Sequence, residues 1–235
     1  MRSPAHILLD AVSRHYRAPS GTVRAVDAVT LSVEPGSSLA VTGPSGCGKS
    51  TLVALIGGLE VPSAGRVVID GRVVSSLSGR DRARIRREEF GLVFQSDNLL
   101  PFLTAAENVA LRLAVSRRPD GLTSGIGLLG TLGMAEHAGK FPDQLSGGQR
   151  QRVAVALAVV HGPRVLLADE PTGSLDAANA AGLVDLLLAV QHRVAATLVV
   201  VTHDPCVAAR LDRTITLRAG TIVGDTDDRC VGTES

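Results

Sequence analysis

The sequence predicts an α/β fold built on a central parallel sheet covered on both faces. Two observations carry this reading. The segments "SLAVT", "RVLLADE" and "ATLVVVTHD" are apolar without interruption, as strands buried on both sides must be, rather than alternating apolar with polar. Stretches of helical pattern separate them, so strands and helices alternate along the chain. At 235 residues and 45% hydrophobic content, the chain can bury a sizeable core within one compact module, 1–235.

Residues 23–42 alternate apolar and polar positions around Pro35-Gly36, which predicts strands joined by a hairpin. An apolar helix over 52–59 follows a glycine-rich turn, and "GRVVIDG" at 65–71 reads as a strand. The charge run at 79–89 reads as a helix with a solvated face. Between 105 and 140 the pattern is helical, but Gly121, Gly125, Gly127, Gly130 and Gly133 weaken it. Each glycine costs about 1 kcal/mol relative to alanine inside a helix, so an irregular lobe is expected there. A strand at 164–170, a helix at 177–193 and a strand at 196–204 complete the pattern before a polar, frayed tail from Asp225.

Bulk properties narrow the function. With 24 basic and 23 acidic residues and 2% aromatics, the chain has neither the charge nor the stacking surface of a nucleic-acid binder, so no nucleic-acid partner is expected. Cys47, Cys206 and Cys230 stand far apart in no metal-ligand or redox spacing, as suits the reducing cytoplasm. The apolar run near the start is too short for a secretion signal. "VAVALAVV" at 153–160 and "TLVVVT" at 197–202 fall far below the roughly 20 residues of a membrane span. Any membrane role is therefore expected to come through a partner.

"GPSGCGKST" fits G-x-x-x-x-G-K-[ST] and lies between a strand and an apolar helix, the context the motif requires. Gly43, Pro44, Ser45, Gly46, Cys47, Gly48, Lys49, Ser50 and Thr51 form the expected phosphate loop. Its backbone amides and helix start surround phosphate oxygens, Lys49 reaches the β and γ phosphates, and Ser50 can ligate Mg²⁺. The chain has only two lysines, Lys49 and Lys140, against 22 arginines. A lysine kept at this position suits a crowded pocket that needs a compact point charge.

In "RVLLADEP" an apolar strand ends in adjacent carboxylates at the edge of the sheet where ligands of open α/β folds bind. Asp169 is placed as a Mg²⁺ ligand, and Glu170 as the group that polarises the attacking water, a role worth about 10²–10⁴-fold in rate. Gln95 follows another short apolar strand and can contact a γ-phosphate, orient water or join Ser50 and Asp169 at the metal. His203 ends a third strand, where its imidazole can hydrogen-bond a γ-phosphate. Lys49, Gln95, Glu170 and His203 are thus the catalytic candidates.

"DQLSGGQRQR" at 143–152 poses a separate question, because a Ser-Gly-Gly turn opening a helix is a second anion-binding device in the same chain. The ordered set "GPSGCGKST", Gln95, "LSGGQ" at 145–149, "VLLADE", "SLD" at 174–176 and His203 resembles the nucleotide-binding subunit of ABC transporters over nearly the whole chain. The resemblance implies a P-loop (RecA-like) ATPase core, residues 1–95 and 160–235, with an antiparallel β subdomain. It also implies an inserted α-helical subdomain at 96–159. It further implies that two copies pack head to tail around ATP and Mg²⁺. Ser146, Gly147, Gly148 and Gln149 would then hold the γ-phosphate of the other copy's ATP, Asp176 would cross the interface, and Tyr16 would stack on adenine. An exposed phosphate loop would leave Cys47 open to alkylation.

"LADEPTGSLD" with "NLLPFLTAAENV" resembles the branch of macrolide-export, lipoprotein-release and cell-division ATPases, whose permeases have four transmembrane helices per subunit and a large extracytoplasmic domain. The resemblance implies an export or mechanical role on the inner face of the cell membrane, and too few residues follow His203 for a C-terminal regulatory domain. Two features depart from the pattern: Leu157 stands at the usual arginine, and Gly121–Gly133 replaces a more charged helix. The alternative is a DNA-repair or translation-associated ABC-type ATPase. Only 93 residues separate Thr51 from Leu145, which leaves no room for a long coiled coil.

Overall fold

The computed structural model describes residues 3–19, 21–94, 98–116, 121–173 and 175–227. The strands are β1 (Ile7–Ala18), β2 (Gly21–Val33), β3 (Ser38–Thr42), β4 (Ala64–Ile69), β5 (Arg72–Val73), β6 (Phe90–Phe94), β7 (Val165–Asp169), β8 (Thr197–Val201), β9 (Arg213–Arg218) and β10 (Thr221–Asp225). The helices are α1 (Lys49–Ile56), α2 (Gly79–Glu89), α3 (Ala105–Val115), α4 (Gly121–Thr131), α5 (Gly147–Val159), α6 (Ala177–Val194) and α7 (Pro205–Ala208).

Two sheets organise the chain. One is antiparallel, in the order β2-β1-β4-β5; the other runs β10-β9-β3-β8-β7-β6. In the second sheet β9, β3, β8, β7 and β6 are parallel, and β10 returns antiparallel from β9. Successive residues of its central strands enter different cores. Leu39, Val41, Leu167 and Val199 pack with Ile7 and Leu9 of β1 and Leu52 and Ile56 of α1. Ala40, Leu166, Leu198 and Val200 pack with Val153 of α5 and Leu183 and Leu187 of α6. A strand with a core on each side has no solvent face for polar residues, which is why these segments are apolar throughout. Each fully buried leucine or valine contributes about 1.5–3 kcal/mol.

Three expectations need correction. Residues 23–42 do not form a hairpin: β2 pairs with β1, whereas β3 inserts between β8 and β9. The reason is burial, since β3 is covered on both faces while β2 alternates exposed and buried positions. Second, the glycine-rich stretch is helical. A Cβ at Gly125 would lie 3.0 Å from Val109 Cγ1, so the missing side chain lets α4 approach α3, and Leu129 is fully buried beneath it. Packing thus outweighs propensity, and the turn that follows the helix contains Gly133 at φ 70°. Third, β1, β9 and β10 exist where no strand is anticipated. The solvated helix at 79–89 agrees with α2, in which Ile85 is the buried residue.

Candidate active site

The parallel strands deliver the candidate residues to one edge. β3 leads into the phosphate loop, β7 into Asp169 and Glu170, and β8, which lies between them, into His203. Register places Asp169 beside Val201 and Val41 beside the same residue, so segments far apart in sequence meet at their carboxyl ends. β6 ends at Phe94; Gln95 lies outside the described residues.

At the loop, α1 starts at Lys49 with Gly48 as N-cap at φ 107° and with no side-chain cap. A Cβ on Gly48 would approach Ala25 O to 1.9 Å, so only glycine lets β2 lie against the loop. Lys49 is 8% exposed, and its Nζ donates to Gly43 O at 2.8 Å and to Pro44 O at 3.0 Å. Ser50 Oγ donates to Asp169 Oδ1 at 3.2 Å. Burial raises the Asp169 carboxyl above the usual range, aided by the like charge of Glu170 and opposed by the Ser50 hydrogen bond and by Lys49.

Glu170 adopts φ 49°, a left-handed conformation that costs a non-glycine residue about 1–2 kcal/mol. Its N–H donates to Val201 O at 3.0 Å, tying the bend to the end of β8. Its Oε2 lies 2.7 Å from His203 Nδ1, so that nitrogen carries the proton and donates it to the carboxylate. The His203 side chain is 70% exposed and that of Glu170 22%. A cavity of about 480 Å³ opens over these groups, bounded by Ala25, Ser45, Gly46, Gly48 to Thr51, Glu170, Gly173 and His203. Ala25 and Gly173 have no chemical signature in the sequence; the first arrives from a distant strand and the second from the loop after Glu170.

The remaining candidates lie elsewhere. Tyr16 is not among the residues bounding the cavity, although it pairs with Val23, two residues before Ala25. The Arg14 guanidinium sits 4.8 Å from its ring centroid and is held by Glu60 at 2.6 Å. Ser146 caps α5: its Oγ accepts from Gln149 N at 3.2 Å, and its N–H donates to Gln149 Oε1 at 2.9 Å. Gln149 Nε2 in turn lies 2.9 Å from His137 Nε2. Ser146, Gly147, Gly148 and Gln149 are also absent from the cavity's border. Asp176 caps α6 by accepting from Asn179 N at 3.0 Å. Ser174 of the same motif and Cys230 lie outside the described residues. The expectation of an exposed Cys47 is overturned: it is 5% exposed and packed in the core beside Gly43, whereas Cys206 is exposed.

A buried ammonium, an uncapped helix start, a hydroxyl next to a carboxylate and a carboxylate–imidazole pair together define a phosphate-loop nucleotide hydrolase. Residues 26–173 match the family described as ABC transporter, and the chain belongs to that family. It is an ATP-binding cassette, the ATPase component. It is 44% identical, over 99% of its own length, to the macrolide export ATP-binding/permease protein MacB of Hyphomonas neptunium, of which it covers 36%. It is 39% identical to the lipoprotein-releasing system ATP-binding protein LolD of Shewanella oneidensis, over 90% of this chain and 93% of that one. Its fold superposes on a bacterial ABC transporter cassette solved as a dimer, with TM-score 0.86 and 37% identity over 93% of this chain and 97% of that one. That cassette has also been solved as a post-hydrolysis dimer bound to ADP and phosphate. These relatives favour the transporter reading over the DNA-repair or translation-associated alternative. The chain thus spans about a third of the MacB relative and nearly all of the LolD relative. Among the described residues no helix is long and apolar enough to cross a membrane.

Proposed function

We propose that the chain drives a separate membrane permease through ATP-dependent dimerisation, for export or for mechanical work outside the membrane. The observation that supports this reading is that, of two glycine-rich helix starts suited to anions, only one borders the cavity. A second copy placed head to tail uses the Ser146 turn to complete the first copy's site, so ATP joins the two chains. Lys49 and the amides of Gly43 to Thr51 hold the phosphates of ATP, and Tyr16 offers a ring to the base. Asp176 lies at the interface. Glu170 accepts a proton from the attacking water, His203 and Gln95 contact the γ-phosphate, and Gln95 also borders the metal site.

The Ser50 hydroxyl and the Asp169 carboxylate suit Mg²⁺, a hard cation commonly held by one or two protein oxygens together with phosphate oxygens. Among the described residues no cluster of three His, Cys, Asp or Glu offers a separate metal cage. When bound, Mg²⁺ supplies charge neutralisation at the phosphates.

Residues 96–159 form the lobe that faces the permease, with 1–95 and 160–235 as the core. Exposed apolar side chains support docking there: Phe102 is 70% exposed, and Leu100 and Phe141 flank the same junction, where Ala105 N donates to Lys140 O. The permease of this reading has four transmembrane helices per subunit and a large extracytoplasmic domain, and holds the cassette on the cytoplasmic face. Purifying the Glu170→Gln chain from detergent extracts with Mg-ATP tests this. Co-purification of such a permease is expected; recovery of soluble proteins alone would overturn the transporter part.

A further inference from the structure

Asp176, assigned above to the dimer interface, and the Ser146 turn, assigned to the second copy's nucleotide, are bridged within one chain by a single side chain. Asn179 Nδ2 donates to Asp176 Oδ2 at 2.6 Å, and Asn179 N donates to Asp176 Oδ1 at 3.0 Å. On the other side of the same amide, Oδ1 faces the signature helix: a Cβ built on Gly148 would lie 3.5 Å from it. Leu175 Cδ2 stands 4.0 Å from the corresponding point on Gly147. Leu175 and Asn179, at the start of α6, therefore stand beside the two glycines of the turn that begins α5, at van der Waals range of the positions a Cβ would take. The turn's own capping box secures Ser146 and Gln149, while the amides of Gly147 and Gly148, in the first turn of α5, have no partner within the helix.

We propose that Asn179 is a positioning residue that makes the Asp176 loop and the Ser146 turn one rigid unit. Contact of Asp176 with a second copy then sets the orientation in which Gly147 and Gly148 meet that copy's nucleotide. This rests on the shared-site reading. The physical basis is that Asn179 donates to a carboxylate, a charge-assisted bond, while its oxygen lies on the open side of Gly148, 3.5 Å from where a Cβ would stand. Removing the side chain leaves both helix caps in place, because Asp176 still accepts the backbone N–H of residue 179.

The test is the ATP-dependent dimerisation constant in the Glu170→Gln background, measured by sedimentation, with nucleotide affinity of the single copy and the thermal midpoint as controls. Asn179→Ala is expected to weaken dimerisation roughly tenfold, the size of one hydrogen bond to a charged group, with both controls unchanged. Asn179→Asp keeps the oxygen toward Gly148 but loses the donor to Asp176, and is expected to weaken dimerisation at least as much. Asp176→Ala combined with Asn179→Ala should be no weaker than the worse single variant, since both break one link. Parent-like dimerisation of Asn179→Ala or Asn179→Asp, or additive losses in the double variant, would overturn the proposal. Ser146→Arg separates the two ideas. If it abolishes dimerisation while Asn179→Ala does not weaken it, only the Asn179 role fails; if Ser146→Arg has no effect, the shared-site reading fails as well.

Discussion

The starts of α1 and α5 are both glycine-rich helix ends, and they are built in opposite ways. Gly48 gives α1 no side-chain cap, yet the loop before it borders a cavity with a buried ammonium, the Glu170 carboxylate and the Ser50 hydroxyl, which reaches Asp169. Ser146 and Gln149 give α5 a complete capping box, but that turn borders no part of the same cavity. An uncapped helix start leaves its amides to a ligand that the surrounding cavity can hold. A capped start beside small residues is preformed and stable alone, and gains a ligand only when another body brings one. In the proposed dimer that contrast would let one chain be half of two sites.

Breaking the first helix start should have the largest effect. Glu170→Gln is expected to lower ATP turnover by about 10²–10⁴-fold while ATP still binds, as single-turnover phosphate release and a binding titration would show. Within the loop, Gly48→Ala forces a Cβ into Ala25 O and should abolish phosphate binding. Gly46→Ala meets nothing within 4 Å and carries only the strain of φ 75°, about 1–2 kcal/mol by denaturant unfolding. Equal losses at the two positions would mean that contact with β2 is irrelevant to the loop. The second helix start should break differently: Ser146→Arg in the Glu170→Gln chain removes the ATP-dependent dimer in sedimentation but leaves single-copy ATP affinity intact. A fall in that affinity would place the turn in the same chain's site.

Away from both helix starts, Arg213 and Asp225 join β9 to β10 by two hydrogen bonds of 2.8 and 2.5 Å, with side chains 13% and 15% exposed. Arg213 also donates to Ser32 O, linking the two sheets. The Arg213 hydrogen bond holds the Asp225 carboxyl below its usual range. A depressed folded value gives stability that is complete above the unfolded value, near pH 4, and lost as pH falls through the folded one. Asp225→Asn should therefore destabilise the fold at pH 7, by about 1–3 kcal/mol as expected for losing a hydrogen bond to a charged group, and progressively less in acid, read from urea midpoints. The smallest effect is chemical: iodoacetamide should modify Cys206 and spare Cys47 in the folded chain, as peptide mass mapping would show.

Much of the candidate site was legible because its residues lie in short local motifs. "GPSGCGKST" specifies a backbone conformation and a lysine together, and "LADE" places two carboxylates at a strand end, whatever the rest of the chain does. "SGGQ" likewise writes its own capping box. Ala25, Gly173 and Asn179 were not legible, because an alanine, a glycine or an asparagine acquires its role only from what folds against it. The buried state of Cys47 follows from the packing of the loop against the core near Leu217, more than 160 residues away.

By itself the sequence determined the strand–helix alternation, the doubly buried parallel strands and the identity of the phosphate, carboxylate and signature motifs. Apolar periodicity and glycine placement act over a few residues, so these are readable in one dimension. Only the tertiary structure decided that β2 and β3 part into different sheets, that a glycine-rich segment forms α4 against α3, and that His203 pairs with Glu170. Those outcomes depend on which surfaces remain to be covered once distant segments have met.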